Sequence, residues 1–102
     1  MNSSREATLI AAALSGDLGL LQKLLPAAGD LTSFSTATDM TPLMAAASRG
    51  HERVVELLLQ HGSSPTRRDA NGRSAAAHAR DAGHAHLAER LDRVVDLDKT
   101  LR

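Results

Sequence analysis

The sequence predicts an all-α protein, a solenoid of three stacked helix-turn-helix repeats, on two observations. One stretch, Thr41 to Gly62, holds two short amphipathic helices together with their own stop signals, and the same pattern recurs 33 residues later and 34 residues earlier. In the central copy Thr41 can accept a hydrogen bond from the free amides of a first turn, and Pro42 suits the first helical position, where a missing N–H costs nothing. Leu43, Ala46 and Ala47 then fall on one face, and Gly50 can take the left-handed conformation that ends a helix. Val54, Val55, Leu58 and Leu59 repeat the stripe in a second helix opposite Glu52, Arg53, Glu56 and Gln60, and Gly62 ends it. The two helices form an antiparallel pair.

A helix pair of this size cannot bury its stripe alone and implies stacked neighbours. Forward by 33, Thr41, Gly50, His51, Val54, Glu56 and Leu58 become Ser74, Gly83, His84, Leu87, Glu89 and Leu91. Backward by 34, Ser15-Gly16-Asp17 fall under Arg49-Gly50-His51, and Leu20, Leu21, Leu24 and Leu25 fall under Val54, Val55, Leu58 and Leu59.

The period, with Thr41-Pro42-Leu43, Ala46-Ala47, Gly50-His51, Val54-Val55, Leu57-Leu58-Leu59 and Gly62, resembles the ankyrin repeat. The resemblance covers residues from about Glu6 to Val95. It implies an ankyrin-repeat solenoid whose helix pairs are joined by hairpin-like finger loops, divided as an N-terminal capping repeat (1–38), a central repeat (39–71) and a C-terminal capping repeat with tail (72–102). Met44 stands where the family usually has a His bridging neighbouring repeats, and Ser63-Ser64-Pro65-Thr66 stands where it reads Ala-Asp-Val-Asn, so the descent into the second finger is expected to be irregular.

In chain order, Ser3 with Glu6 is a capping box that places the first helix start at residues 3–4 and makes the N-terminus a finished end. Leu9, Ala12 and Ala13 carry the stripe to Gly16, Asp17 caps the second helix, and Pro26 near its end tightens it or ends it early. Asp30 to Met40 is the first connection; its Phe34, the sole aromatic, is favoured as an apolar plug over an exposed anchor, and Asp39 replaces the family's Gly. The second connection holds Asp69, able to close an Asx-turn, and the tight-turn pair Asn71-Gly72. The last repeat reads as a cap: Ala75 and Ala76 replace Pro42 and Leu43, while Arg80, Arg90 and Asp92 replace Ala47, Leu57 and Leu59, giving a polar outer face. Beyond it, residues 92–99 either prolong the last helix or fray.

Composition bounds the function. The chain has 102 residues, 12 basic against 12 acidic, and no Cys. It therefore has no disulfide framework and no thiolate chemistry, and its charge balance argues against nucleic acid as partner. No apolar run approaches the length of a membrane span, so a cytoplasmic protein without membrane contact is expected. Ala-, Arg- and Leu-rich usage with one aromatic is associated with GC-rich bacterial genomes. Phosphate loops, nucleophile elbows and paired catalytic carboxylates in a sheet-built pocket are missing, so no enzyme and no cofactor is expected. The five His do not form a metal set: His84 and His86, two apart on a helix, point apart, and His51 and His84 at the Gly-His position are expected to cap and pack locally.

The resemblance implies a protein-binding module whose concave face, made of finger tips and inner helices, holds a partner protein. The positions it points to are Ala37, Thr38, Met40, Ser48, Arg49 and His61 of the central copy, then Arg68, Ala70, Asn71, Arg73, Asp81 and Ala82 of the last. The rival readings are a self-associating protein that forms a homodimer through its convex or C-terminal stripe, and an inhibitor or immunity-like protein that blocks an enzyme. A buried Leu contributes roughly 1.5–3 kcal/mol, a large part of a small domain's margin. Leu58→Ala is thus expected to lower the melting midpoint, followed by circular dichroism, by many degrees; an unchanged curve would contradict the stacked core.

Overall fold

A computed structural model describes residues 2–25, 40–61 and 63–100, with side chains from 7 onward and up to 95. Among these residues the chain is helical with no strand: α1 (Asn2–Ser15), α2 (Leu18–Leu24), α3 (Pro42–Ser48), α4 (Glu52–Gln60), α5 (Ala75–Asp81) and α6 (Ala85–Thr100). They form three consecutive helix pairs. Helix α3 packs between α1 and α5 and against its own partner α4, while α2 packs on α4.

The local signals form as the side chains dictate. Asp17 Oδ1 accepts from the Leu20 amide at 3.1 Å, Thr41 Oγ1 from the Met44 amide at 3.3 Å and Ser74 Oγ from the Ala77 amide at 3.4 Å. Each satisfies one of the orphan donors of a helix start. Pro42 occupies the first turn of α3.

The core is aliphatic and fine-grained. Leu9, Ala12, Ala13, Leu21, Leu25, Leu43, Val54, Val55, Leu58, Leu87 and Leu91 are all buried, and every residue from Pro42 to Ala47 is buried, Met44 included. A helix buried on all sides must carry small residues where neighbours approach, and the Ala45-Ala46-Ala47 run supplies them. Leu59 is half-buried, as is Leu24, while Leu20 is 37% exposed. Leu20 and Leu24 are thus less enclosed than the stripe alone suggests, while Leu21 and Leu25 beside them are buried.

Two histidines depart from the expectation of local capping. His51 makes no side-chain cap; its Nε2–H donates to the Leu14 carbonyl at 3.0 Å, in the preceding repeat. The ring lies over Gly16, where an added Cβ would sit 2.8 Å from Cε1, and His84 lies over Gly50 in the same way at 2.7 Å. Both glycines have positive φ, +72° and +73°, so backbone conformation and ring contact demand the same residue. His51 therefore supplies a bridge between repeats that Met44 cannot.

Two other expectations change. Helix α1 already includes Asn2 and Ser3, so Ser3 does not mark its boundary; helix ends shift readily by a residue or two. Arg90 does not face water outward but reaches back to Glu52 at 3.3 Å and pairs with Glu56, both on α4, because its long side chain can cross the seam between layers. Its guanidinium is held charged by Glu56 first and Glu52 second. Arg80 and Asp92 do form a polar outer face, paired at 2.7 Å. The last helix is prolonged, running 16 residues against 9 in α4. Pro26, Phe34, Asp39 and Gly62 lie outside the described residues.

The descent after α4 carries a local fault. The Ser63 amide donates to the Leu58 carbonyl at 3.0 Å, and the residue is buried, yet its Oγ has no hydrogen-bond partner among the described residues. A buried unsatisfied hydroxyl costs about 1–3 kcal/mol. Ser63→Ala is expected to raise the urea midpoint, worth about 1 kcal/mol, with the slope unchanged. Glycine substitution separates strain from contact. Gly83→Ala, with φ +88° and nothing within 4 Å, is expected to cost about 1–2 kcal/mol from backbone strain alone. Gly50→Ala should cost clearly more because His84 must also move, and equal midpoint shifts in urea titrations of the two variants would contradict the ring contact.

Candidate partner-binding surface

The second finger turns on Asp69. Its amide donates to the Arg73 carbonyl at 3.0 Å, and the Gly72 amide donates to the Asp69 carbonyl at 2.9 Å. Its carboxylate works twice. Oδ1 accepts from the amides of Asn71 at 2.9 Å and Arg73 at 3.0 Å, closing the Asx-turn, while Oδ2 lies 2.8 Å from His78 Nε2 on α5. The Asp69 side chain is only 4% exposed. Burial alone would push its pKa up, but the Arg73 amide, the His78 side chain and the Asn71 amide together hold it below the ordinary carboxylate value of 3.8.

A second tie runs parallel. Arg73, at the foot of the finger, pairs with Asp81 at the end of α5. These two bonds fold the finger over α5, so that the turn and the helix share one face. Both members of the Arg73–Asp81 pair are about half exposed, so the pair orients the finger more than it stabilises it.

The expected site residues distribute unevenly. Ala70 and Asn71 are exposed on the turn, Arg73 and Asp81 are joined, and Ala82 is exposed at the end of α5. Arg49 and His61 are exposed at the C-terminal ends of α3 and α4. Ser48 is half-buried, its hydroxyl donating to the Ala45 carbonyl at 2.8 Å, and Met40 is half-buried against the core. Arg68 stands apart: it lines a shallow depression with Pro65, Ser74, Asp92 and Val95, at the outer end of the stack. Ala37 and Thr38 lie outside the described residues.

Sequence reasoning missed the part played by His78, which stands where the central copy has Ala45. The available signal was a polar residue in an apolar place, nine residues beyond an Asx-turn aspartate. Among the described residues no group of three or more His, Cys, Asp or Glu comes together to hold a metal, and no helix is long and apolar enough to cross a membrane. The surface offers hydrogen-bonding and shape.

Comparison with known proteins agrees with this geometry. The family model for ankyrin repeats, three copies, matches residues 9–100. The ARF GTPase-activating protein GIT1 of Homo sapiens is 40% identical over 76 residues, 74% of this chain and 10% of that protein. The potassium channel AKT2/3 of Arabidopsis thaliana is 41% identical over 81 residues, 78% of this chain and 10% of that one. The 2-5A-dependent ribonuclease of Mus musculus is 37% identical over 67 residues, 66% of this chain and 9% of that one. The chain thus spans about one-tenth of the length of the curated relatives it matches. Three capped helix pairs stacked in register, with the repeat pattern matched over residues 9–100, show that this chain belongs to the ankyrin-repeat family.

Proposed function

We propose that this chain is a non-catalytic module that holds a partner protein on the face shared by its fingers and inner helices, in the cytoplasm. Ankyrin repeats generally mediate protein–protein interaction. The observation that carries the reading is the tied second finger: Asp69 with His78, and Arg73 with Asp81, hold Ala70 and Asn71 out in solvent above α5. A loop already held in one conformation loses less entropy on binding, which is how a small rigid scaffold gains affinity. Arg49 and Ala82 extend the face at the ends of α3 and α5. Arg68 and Met40 contribute less, the first by its placement at the outer end and the second by its packing on the core.

The test is affinity capture from host lysate, comparing the wild-type chain with an Arg49→Glu, Ala70→Arg, Ala82→Glu variant. All three residues are exposed, so the variant is expected to melt like wild type. A protein retained by wild type and lost by the variant supports the face; one retained equally by both removes the site from it.

The finger also predicts an acid response. Asp69 is depressed in the folded state, so it contributes stability that is fully present above the ordinary carboxylate value and is lost as pH falls through its lower folded value. Below about pH 4 the wild type should lose stability faster with falling pH than Asp69→Asn, which cannot titrate there. Urea midpoints measured from pH 6 to pH 2.5 check this, and parallel curves for the two proteins would contradict it.

A further inference from the structure

The finger tip carries the chain's one Asn-Gly pair, Asn71-Gly72, and the function proposed above uses only its shape. Asn71 is exposed, and its backbone amide is engaged by Asp69 Oδ1, while its carboxamide has no hydrogen-bond partner among the described residues. Gly72 is exposed as well, with φ +78° and nothing within 4 Å of the place a Cβ would take. A carboxamide followed by glycine is a reactive pair, because no side chain shields the glycine nitrogen from the carbonyl carbon one residue back. Water is the only other reactant, and both residues are open to it.

The same turn restrains that reaction. The Gly72 N–H donates to the Asp69 carbonyl at 2.9 Å, and the Asn71 and Arg73 amides on either side both donate to Asp69 Oδ1, at 2.9 and 3.0 Å. The nitrogen that would attack is thus bonded away from the carboxamide. Its two neighbours are pinned by one carboxylate that is 4% exposed and tied to His78 on α5. The pair can react only when the turn opens and the Gly72 N–H leaves the Asp69 carbonyl. Opening one surface turn is a local event, far less costly than unfolding the stack.

We propose that Asn71 is a modification site, converted by water to aspartate or isoaspartate at a rate set by opening of the Asp69 turn. The Gly72 nitrogen attacks the Asn71 side-chain carbonyl carbon and gives up its proton; the bond from that carbon to the side-chain nitrogen breaks and ammonia leaves, closing a succinimide ring. Water then adds at either ring carbonyl and opens the ring. Overall one water is taken up and one ammonia released, with nothing oxidised or reduced. Opening at one carbonyl leaves aspartate. Opening at the other routes the main chain through the former side chain, longer by one methylene, so the amides of residues 71 and 73 lose the spacing that brings both to Asp69 Oδ1. The isoaspartate chain therefore loses the lock that presents the finger, and the binding face has a lifetime. That last consequence rests on the binding function proposed above; the chemistry at Asn71 does not.

Trypsin cuts after Arg68 and Arg73, so the peptide between them isolates Asn71 for mass spectrometry of the full chain aged at mildly alkaline pH, folded and in denaturing guanidinium chloride. The peptide is expected to exchange the mass of an amide for that of a carboxyl, more slowly in the folded chain. The slowing should match, within a few-fold, the protection of the Gly72 amide against hydrogen exchange, since both need the same bond broken. Asp69→Ala leaves the Gly72 amide without the side chain that braces its turn and should speed conversion about tenfold or more. The wild-type comparison needs no variant and stands if Asp69→Ala fails to fold. Folded wild type that converts as fast as the unfolded chain overturns the gate, and an Asn71 intact long past the time that hydrogen exchange sets overturns the site. An isoaspartate chain whose residue 73 amide keeps its protection overturns the loss of the lock. Rates that agree, with the lock lost, while the aged chain still retains its lysate partner, support the modification and overturn the finger-face reading instead.

Discussion

Everything in this structure depends on the close approach of α3 to α1 and α5. A helix pair as short as α3 and α4, of seven and nine residues, buries too little apolar area to fold alone, so it exists because its neighbours cover it. The approach is set by side-chain size. Alanines at positions 45 to 47, and Ala12, Ala13, Ala75, Ala76 and Ala79 on the adjoining helices, let the inner helices meet without gaps, while Leu and Val on α4 and α6 fill the space behind them. With little aromatic bulk available, the core gains its stability from fit, and a cavity in it has no large neighbour to relax into it.

Polar groups in this fold are spent on joining layers and on holding loops. His51 spans from the start of α4 to the Leu14 carbonyl and lies against Gly16, whose left-handed backbone favours glycine. Arg90 crosses the seam between α6 and α4 to two glutamates. The Asp69 carboxylate is almost out of solvent and bonded through both oxygens, one of them to His78, which is the condition under which a buried polar group specifies one conformation. The finger therefore presents its tip as a fixed shape, and the binding reading rests on that rigidity more than on any single charge.

The last layer carries a polar face: Arg80 and Asp92, standing where the central copy has Ala47 and Leu59, pair with each other in solvent.

What could be read without the structure was whatever lies within one repeat. The helix starts at Asp17, Thr41 and Ser74, the stop at Gly50, the buried stripes and the Asx-turn all rest on contacts between residues two to four apart, where spacing alone decides geometry. The family, the all-α class and the polar C-terminal face followed from those. What only the tertiary structure decided are contacts between repeats and between a loop and a helix: His51 with Leu14 across 37 residues, Arg90 with Glu52 across 38, and His78 with Asp69 where a loop closes. Spacing cannot reveal these, because their distances depend on how far one layer is rotated and shifted against the next. The same reason divides the arginines of the second finger, sending Arg73 to Asp81 and Arg68 to the outer end, though both stand in one short run of sequence.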